Sequence, residues 1–181
     1  MKVLAISGSP RIGGNSETLC DRFLEGAKEA GHDIEKINLS QKKISPCFAC
    51  SSCENTGVCV QKDDMAEILK KVIAADVIIL STPVYFYSVS AQMKLFIDRC
   101  FSGFSQIKDK DFYFIISAAA SDHEAMSPVI GTLKGYTVCL PGAQVKGIIY
   151  GTGAWEKGDV LRMPVIDEAY EAGKSIKRRG K

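Results

Sequence analysis

Residues 2–19 read KVLAISGSPRIGGNSETL and join an apolar run to a glycine-rich turn and the start of an amphipathic segment. The apolar run, residues 2–7, predicts a short buried strand. The glycines of residues 8–14 indicate a tight turn, and either Asn15 or Ser16 is a suitable N-cap for a helix. This stretch therefore predicts a strand, a turn and a helix in direct succession.

The same alternation continues along the chain. The predicted strands are 2–7, 33–39, 76–81, 112–117 and 144–150. The predicted helices start at residue 15 or 16, start at Asp63 or Asp64, and cover 89–101, 122–138 and 164–178. Strands that alternate with helices form a parallel sheet with helices on both faces. Five strands in this length predict a three-layer α/β, flavodoxin-like fold with strand order 2-1-3-4-5, in a single domain over 1–181.

Composition excludes several classes of protein. With 181 residues, 46% hydrophobic and 24% charged, the chain is typical of one globular domain and not of disordered or fibrous proteins. The net charge of +2 favours no nucleic-acid partner, and no apolar run is long enough to span a membrane. The opening residues lack a signal-peptide pattern, which predicts a cytoplasmic protein. A basic tail is expected to be a solvated terminus, and it contains Lys174, Lys177, Arg178, Arg179 and Lys181.

Ligands of such sheets bind beyond the carboxyl ends of the strands, between strands 1 and 3. The turn after strand 1 offers backbone N–H groups, the positive end of a helix, the charge of Arg11, and hydroxyl or amide groups on Ser9, Asn15, Ser16 and Thr18. It matches neither a P-loop nor the G-x-G-x-x-G fingerprint. A monophosphate such as that of FMN fits better than a triphosphate, and a merely tight turn is the alternative.

Two further loops reach the same edge. Three aromatic residues, Tyr85, Phe86 and Tyr87, follow strand 3, and they suit either a flat isoalloxazine ring or a subunit interface. The loop after strand 4, residues 117–123, is rich in small residues that allow a ring to approach. Its His123 is either a proton donor to the flavin or an ordinary residue at a helix start.

Seven cysteines are present, and four of them lie within thirteen residues, at Cys47, Cys50, Cys53 and Cys59. Their spacing, with gaps of two, two and five residues, allows four thiolates to hold one [4Fe–4S] cluster in a loop at about 44–62. Zinc sites usually show two separated pairs, so the spacing fits zinc less well. A thiol or disulfide role and a loop without metal remain alternatives. The other three are interpreted as buried hydrophobic residues: Cys20, Cys100 and Cys139.

The chain resembles the flavodoxin-like, NAD(P)H-dependent FMN reductases over essentially its whole length. The resemblance is carried by the motifs Gly8-Ser-Pro-Arg11, Gly14-Asn-Ser16, Pro83-Val-Tyr85 and Lys94 to Arg99 with Phe96 and Asp98. It implies that the phosphate of FMN is bound by Ser9, Arg11, Asn15 and Ser16, with Glu17 and Thr18 beside them. It implies that the flavin is lined by Pro83, Val84, Tyr85, Phe86 and Ser88, with Ala119 in the next loop. That loop lacks the glycines typical of the family.

The cysteine motif is similar to that of the iron–sulfur flavoprotein branch, which implies one [4Fe–4S] cluster beside FMN. The cysteine loop follows strand 2, so it is expected near the carboxyl edge of the sheet, where the flavin binds. The expected function is an FMN-dependent oxidoreductase that takes electrons from a ferredoxin-like protein or NAD(P)H and passes them to a small acceptor. The alternatives are a cluster-free FMN or quinone reductase, a flavin electron carrier and a redox sensor. The resemblance also implies a homodimer or homotetramer, in which Trp155 packs over a neighbouring flavin or covers the sheet edge. No catalytic residue is predicted, because the flavin itself carries the chemistry.

Overall fold

A computed structural model describes residues 1–177, in which helices cover both faces of a mostly parallel sheet. The strands are β1 (Lys2–Ser7), β2 (Asp33–Asn38), β3 (Val77–Tyr85), β4 (Ser88–Val89), β5 (Asp111–Ala118) and β6 (Gln144–Thr152). The helices are α1 (Asn15–Glu29), α2 (Ser52–Thr56), α3 (Met65–Ala74), α4 (Ala91–Arg99), α5 (Ser127–Val138) and α6 (Val165–Lys174). Among these residues, no helix is both long and apolar enough to cross a membrane. Three residues of the basic tail lie outside the described part: Arg178, Arg179 and Lys181.

The strand order is β2-β1-β3-β5-β6, with every neighbouring pair parallel. This confirms the predicted order 2-1-3-4-5, since the additional strand β4 lies off this path. The structure differs from the prediction after residue 81, where β3 continues as far as Tyr85. Val84 pairs with Val89 and Tyr85 pairs with Ser88, so the segment predicted as a loop is an antiparallel hairpin.

The three inner strands of the sheet, β1, β3 and β5, bury side chains on both of their faces, because alternate side chains point to opposite sides and helices cover each side. In β1, Leu4 and Ile6 pack into the core under α3, α4 and α5. Val3 and Ala5 pack into a second core under α1 and α6. The continuous apolar runs in the sequence are therefore explained by helices on both faces.

The start of α1 differs from the predicted capping, whereas the start of α3 agrees with it. The N-cap of α1 is Gly14, in extended backbone, and no side chain caps this helix. The predicted caps, Asn15 and Ser16, lie inside the first turn, because the Asn15 amide binds a distant loop. At α3 the N-cap position is Asp64, but the carboxylate of Asp63 accepts the hydrogen bond from the N–H of the first helical residue, at 3.1 Å.

Two other segments also differ from the predicted boundaries. The helix predicted over 122–138 begins at Ser127, after one 3-10 turn, and a proline near its start suits the first turn of a helix. The helix predicted over 164–178 ends at Lys174. The cysteine loop, predicted to be irregular, contains the short helix α2. These differences leave the layers of the fold unchanged.

Helices α1 and α6 pack closely because each presents a glycine to the other. A Cβ atom on Gly173 would lie inside van der Waals contact with the carbonyl oxygen of Phe23. A Cβ atom on Gly26 would lie equally close to the carbonyl oxygen of Tyr170. Both neighbours are backbone atoms, so they cannot move without shifting a helix.

We expect Gly173→Ala to lower the free energy of unfolding by about 2–3 kcal/mol, because the added methyl group separates α1 from α6. Urea unfolding monitored by circular dichroism measures this change. Gly131→Ala in α5 is the matched control. Within residues 1–177, no atom beyond the backbone of its own helix lies within 4 Å of its added Cβ, so it should stabilise the protein by about 0.5–1 kcal/mol. Equal effects of the two substitutions would contradict the close packing of α1 and α6.

Candidate cofactor sites

A cavity of about 200 Å³ opens at the carboxyl edge of the sheet, beyond β1, β3 and β5. Its walls come from residues of the turn 9–16, from 83–85, from 117–119 and from 154–157. The cavity lies where parallel sheets of this order bind their ligands. We call it the edge cavity.

One end of the edge cavity is suited to an anion. The N-terminus of α1 has no side-chain cap, and the hydroxyl oxygen of Ser16 is buried without a hydrogen-bond partner in residues 1–177. Arg11 adds a positive charge to the same wall. Uncapped N–H groups, an unsatisfied hydroxyl and a guanidinium together favour a phosphate group.

The turn that forms this end is held in shape by its own hydrogen bonds. The hydroxyl of Ser9 donates to the carbonyl of Arg11 at 2.9 Å and accepts from its N–H at 3.1 Å. The N–H of Gly14 donates to the same carbonyl at 3.0 Å. A Cβ atom on Gly14 would meet the Ser9 hydroxyl oxygen at 3.0 Å and the Arg11 carbonyl oxygen at 3.1 Å. Glycine at position 14 therefore keeps the turn open.

Asn15 lines the edge cavity, but its side chain is occupied by the loop after β6. Its amide nitrogen donates to the carbonyls of Glu156 at 2.8 Å and Ala154 at 3.4 Å. Its amide oxygen accepts from the N–H of Gly158 at 3.0 Å. The side chain of Asn15 therefore holds this loop beside the cavity.

The same loop brings a second cation that sequence reasoning missed. Lys157 lines the edge cavity, and a Cβ atom on Gly13 would lie 3.1 Å from its Cε and 3.2 Å from its Nζ. The only signal in the sequence was its place after strand 5, beside the predicted ligand edge. Arg11 and Lys157 thus supply positive charge from two distant segments.

Glu17 and Thr18 were predicted to lie beside the cofactor, but neither lines the edge cavity. The Glu17 carboxylate accepts hydrogen bonds from the N–H of Gly13 at 2.6 Å, Asn38 at 2.8 Å and Lys36 at 3.0 Å. Burial raises the pKa of Glu17, but these partners outweigh it and hold the pKa below its ordinary value. Glu17 is therefore a carboxylate that stabilises the turn without lining the cavity.

The hairpin of β3 and β4 supplies a second wall. Three of the predicted flavin-contacting residues line the cavity, namely Pro83, Val84 and Tyr85. The other two do not, since Phe86 lies fully exposed at the hairpin tip and Ser88 lies in β4. Phe86 and Tyr87 have φ angles of +48° and +60°, a conformation that L-residues rarely adopt. The hairpin therefore presents aromatic side chains to the outside.

The remaining walls include Ala119 and Trp155. Trp155 is 72% exposed, so it does not cover the sheet edge within this chain. His123 is not among the lining residues, and its ring stacks on Tyr150 with centroids 4.4 Å apart. Within residues 1–177, nothing places His123 beside the cavity.

The cysteine motif lines a second and larger cavity, of about 740 Å³, which we call the cysteine cavity. All four cysteines of the motif border it: Cys47, Cys50, Cys53 and Cys59. Cys47 and Cys50 are exposed, and the other two are half-buried. Left-handed backbone at Ala49, Ser51 and Gly57 turns the chain sharply enough to aim the motif at one space.

The four thiols influence one another. Burial raises the pKa of Cys53, and the charges of the other three motif cysteines raise it further. Hydrogen bonds from Ser52 lower the pKa of Cys50, and the N–H of Ala49 donates to the sulfur of Cys47 at 3.4 Å. Residues 1–177 contain no group of three side chains arranged for a single metal ion. A four-iron cluster needs a wider arrangement, because each thiolate binds a different iron.

The cysteine cavity does not lie at the flavin edge, which corrects the expectation drawn from its place after strand 2. Its opposite wall comes from the C-terminal ends of α4 and α5. Helix α4 starts near the edge cavity, where Ser90 donates to the carbonyl of Gly8 at 2.7 Å. The nine residues of α4 lie between Ser90 and Cys100, a rise of about 15 Å along the helix, and Cys100 borders the cysteine cavity. None of the residues assigned to one cavity lines the other.

Two of the three remaining cysteines are buried as predicted, Cys20 and Cys100. The prediction for Cys139 is wrong, because this residue is exposed and borders the cysteine cavity. It directly follows the last residue of α5, and its thiol donates to the carbonyl of Gly135 at 3.4 Å. The prediction rested on the apolar neighbours of Cys139 in the sequence. Such neighbours do not ensure burial at a helix end, where some apolar side chains are exposed.

Comparisons with known proteins bear on the family and on the fold. Residues 1–155 match the family model of the NADPH-dependent FMN reductases. An iron–sulfur flavoprotein of Archaeoglobus fulgidus is 46% identical over 99 residues, which are 55% of this chain and 45% of that protein. The chain spans about half the length of three curated relatives of this kind.

A second A. fulgidus iron–sulfur flavoprotein is 31% identical over 172 residues, covering 86% of this chain and 84% of that protein. Among solved structures, a NAD(P)H:quinone oxidoreductase from Methanothermobacter marburgensis superposes with a TM-score of 0.78. The two chains are 19% identical, and the superposition covers 100% of this chain and 98% of the other, so the likeness concerns the fold.

Proposed function

Because the chain belongs to the NADPH-dependent FMN reductase family, in its iron–sulfur flavoprotein branch, we propose that it is an FMN-dependent oxidoreductase with one [4Fe–4S] cluster. Its electron donor is a ferredoxin-like protein or NAD(P)H, and its acceptor is a small molecule. The observation that carries this proposal is one chain with two separate cavities, one suited to a phosphate and one bordered by four cysteines.

The residues of the edge cavity fit FMN. Ser16 has an unsatisfied buried hydroxyl for a phosphate, and Arg11 and Lys157 balance the phosphate charge. Pro83, Val84 and Tyr85 offer an apolar wall, and Ala119 leaves room for a ring. When bound, FMN supplies exchange between one-electron and two-electron transfers, while the protein binds and orients it.

The residues of the cysteine cavity fit a four-iron cluster. Four thiols border one space, and backbone N–H groups and a buried guanidinium donate to their sulfurs. Donors of this kind are typical around cluster thiolates. The single-ion alternative, zinc, is disfavoured because residues 1–177 hold no compact group of three ligating side chains.

We also propose a homodimer or homotetramer. The edge cavity, at about 200 Å³, is smaller than the 300–1,000 Å³ typical of whole ligand sites, so one chain encloses only part of FMN. Phe86, Tyr87 and Trp155 expose aromatic surface beside it. A second copy of the chain at this edge would cover both the aromatic side chains and the rest of the ligand.

Anaerobic purification, followed by a visible spectrum and by iron, sulfide and FMN analysis, tests the proposed function. We expect about four irons and four sulfides per FMN. A flavin spectrum without iron, after anaerobic reconstitution, would replace the proposal with a cluster-free reductase. Reduction by NAD(P)H and by reduced ferredoxin, compared on the same sample, then identifies the class of donor.

We expect Arg11→Ala to weaken FMN binding at least tenfold, because a charge-assisted hydrogen bond contributes about 1.5–3 kcal/mol. Lys157→Gln should weaken binding less, since a lysine ammonium offers a point charge where an arginine can bind a phosphate through its planar fork. Both losses should shrink in high salt. Fluorescence titration of the FMN-free protein measures these affinities.

Ile12→Ala is the control for this pair, because Ile12 is exposed in the same turn and does not line the cavity. Its FMN affinity should equal that of the wild type. If Arg11→Ala and Ser16→Ala both bind FMN normally, the phosphate is not bound at this turn.

A further inference from the structure

Arg99, the last residue of α4, is a buried cation at the foot of the cysteine loop. Only 1% of its side chain is exposed, and it faces Asp63, whose side chain is 10% exposed. The two guanidinium nitrogens donate to the two carboxylate oxygens, at 2.6 and 3.0 Å. This forked geometry is specific to arginine, since lysine offers a single ammonium group.

The pair joins both ends of the cysteine loop. Arg99 donates to the carbonyl of Ser45 at 2.7 Å, and Asp63 accepts from the N–H of Ser45 at 3.0 Å. Burial raises the pKa of Asp63, but the hydrogen bonds from Arg99 and from backbone N–H groups hold it below its ordinary value. Asp63 therefore stays a carboxylate and keeps residues 45 and 63 together.

The second guanidinium nitrogen also reaches the cysteine motif. It donates to the sulfur of Cys59 at 3.6 Å, within the range of hydrogen bonds to sulfur. Cys59 follows the other three cysteines after a gap of five residues, so its placement depends most on how the loop closes. Its sulfur is thus fixed by a side chain that is itself locked in a buried ion pair.

We propose that Arg99 is a positioning residue for the cysteine motif. Its ion pair with Asp63, which we call the clamp, holds the sulfur of Cys59 in place. This inference rests on the proposed function, in which the sulfur of Cys59 is a ligand of the cluster. The segment that ends in Arg99 is one of the motifs that carry the resemblance, and in the structure the Arg99 side chain contacts the sulfur of Cys59. A donated N–H and a fixed positive charge beside a ligating sulfur also raise the reduction potential of a cluster.

Arg99→Lys tests the clamp, because it keeps the charge and removes the fork. We expect the full-length variant to retain FMN, to hold at least threefold less iron than the wild type after anaerobic reconstitution, and to have a more negative cluster potential in an EPR-monitored titration. Lys94→Gln is the matched control on the same helix, since Lys94 forms an exposed ion pair with Asp98. It should match the wild type in all three measurements.

A measurement on the iron-free protein tests this inference separately from the proposed function. In the chelator-treated full chain with FMN bound, mass spectrometry follows how fast an alkylating reagent labels Cys59. We expect labelling at least tenfold faster in Arg99→Lys than in Lys94→Gln. If the wild type binds no iron but labelling still separates the variants, the cluster proposal fails and the clamp on Cys59 stands.

If Arg99→Lys does not fold, Asp63→Asn tests the inference in its place. It preserves the shape of the partner and removes its charge, so it should show the same faster labelling of Cys59. Iron content, cluster potential and Cys59 labelling all equal to wild type, in Asp63→Asn and in any folded Arg99→Lys, would overturn the inference.

Discussion

Cys50→Ala is expected to remove the iron–sulfur cluster while the protein keeps its FMN. A cluster held by four thiolates loses a whole ligand in this variant. Cys50 is exposed and lies outside both hydrophobic cores, so the substitution should cost little stability. FMN should remain because the cysteine cavity and the edge cavity share no lining residue. Iron, sulfide and FMN analyses of the anaerobically purified protein measure this outcome.

Cys139→Ala is the matched control for that experiment. Cys139 is also exposed and borders the same cavity, but it lies outside the motif. It should retain full iron. Full iron in Cys50→Ala would refute the assignment of the ligands, and loss of iron in Cys139→Ala would make Cys139 a ligand.

Gly14→Val is expected to weaken FMN binding at least 100-fold, or about 2.7 kcal/mol, without unfolding the protein. Valine tolerates the extended backbone at this position, where φ is −69° and ψ is 164°. Its Cβ would press on Ser9 and on the carbonyl of Arg11, at 3.0 and 3.1 Å, and its methyl groups would enter the space before the uncapped helix. Isothermal titration of the FMN-free protein measures the loss.

Gly131→Val controls for the general cost of this substitution, because open space surrounds the added Cβ in α5. It should bind FMN as the wild type does. Urea unfolding of both variants shows whether the fold survives. Normal FMN affinity in a folded Gly14→Val protein would mean that the phosphate lies elsewhere.

Local pattern was sufficient to predict the architecture. Residues 2–7 and 76–81 are continuous apolar runs, and such runs in a chain of alternating strands and helices require a sheet covered on both faces. The strand order was predicted from the flavodoxin-like arrangement that suits five such strands, and it is confirmed. Most errors occurred at boundaries. One was at β3, whose extension to Tyr85 depends on pairing with β4.

The sites were predicted less completely than the fold. Sequence reasoning selected the turn 9–16 and the motif 47–59, since glycines and closely spaced cysteines are local signals. It did not assign the side-chain partners. Asn15, predicted to bind phosphate, instead holds the loop that carries Lys157, and Glu17 pairs with Lys36. It also placed the cysteine loop at the flavin edge, where the structure does not put it.

The sequence by itself determined what periodicity and spacing can encode: the layers, the glycine-rich turn and the set of four cysteines. Only the tertiary structure decided which side chains meet, because those contacts join positions that are far apart in the chain. Asn15 reaches Glu156 across 141 residues, and Arg99 reaches Asp63 across 36. Such contacts leave no local pattern, since a buried polar side chain takes whichever partner the packed elements bring within hydrogen-bonding distance.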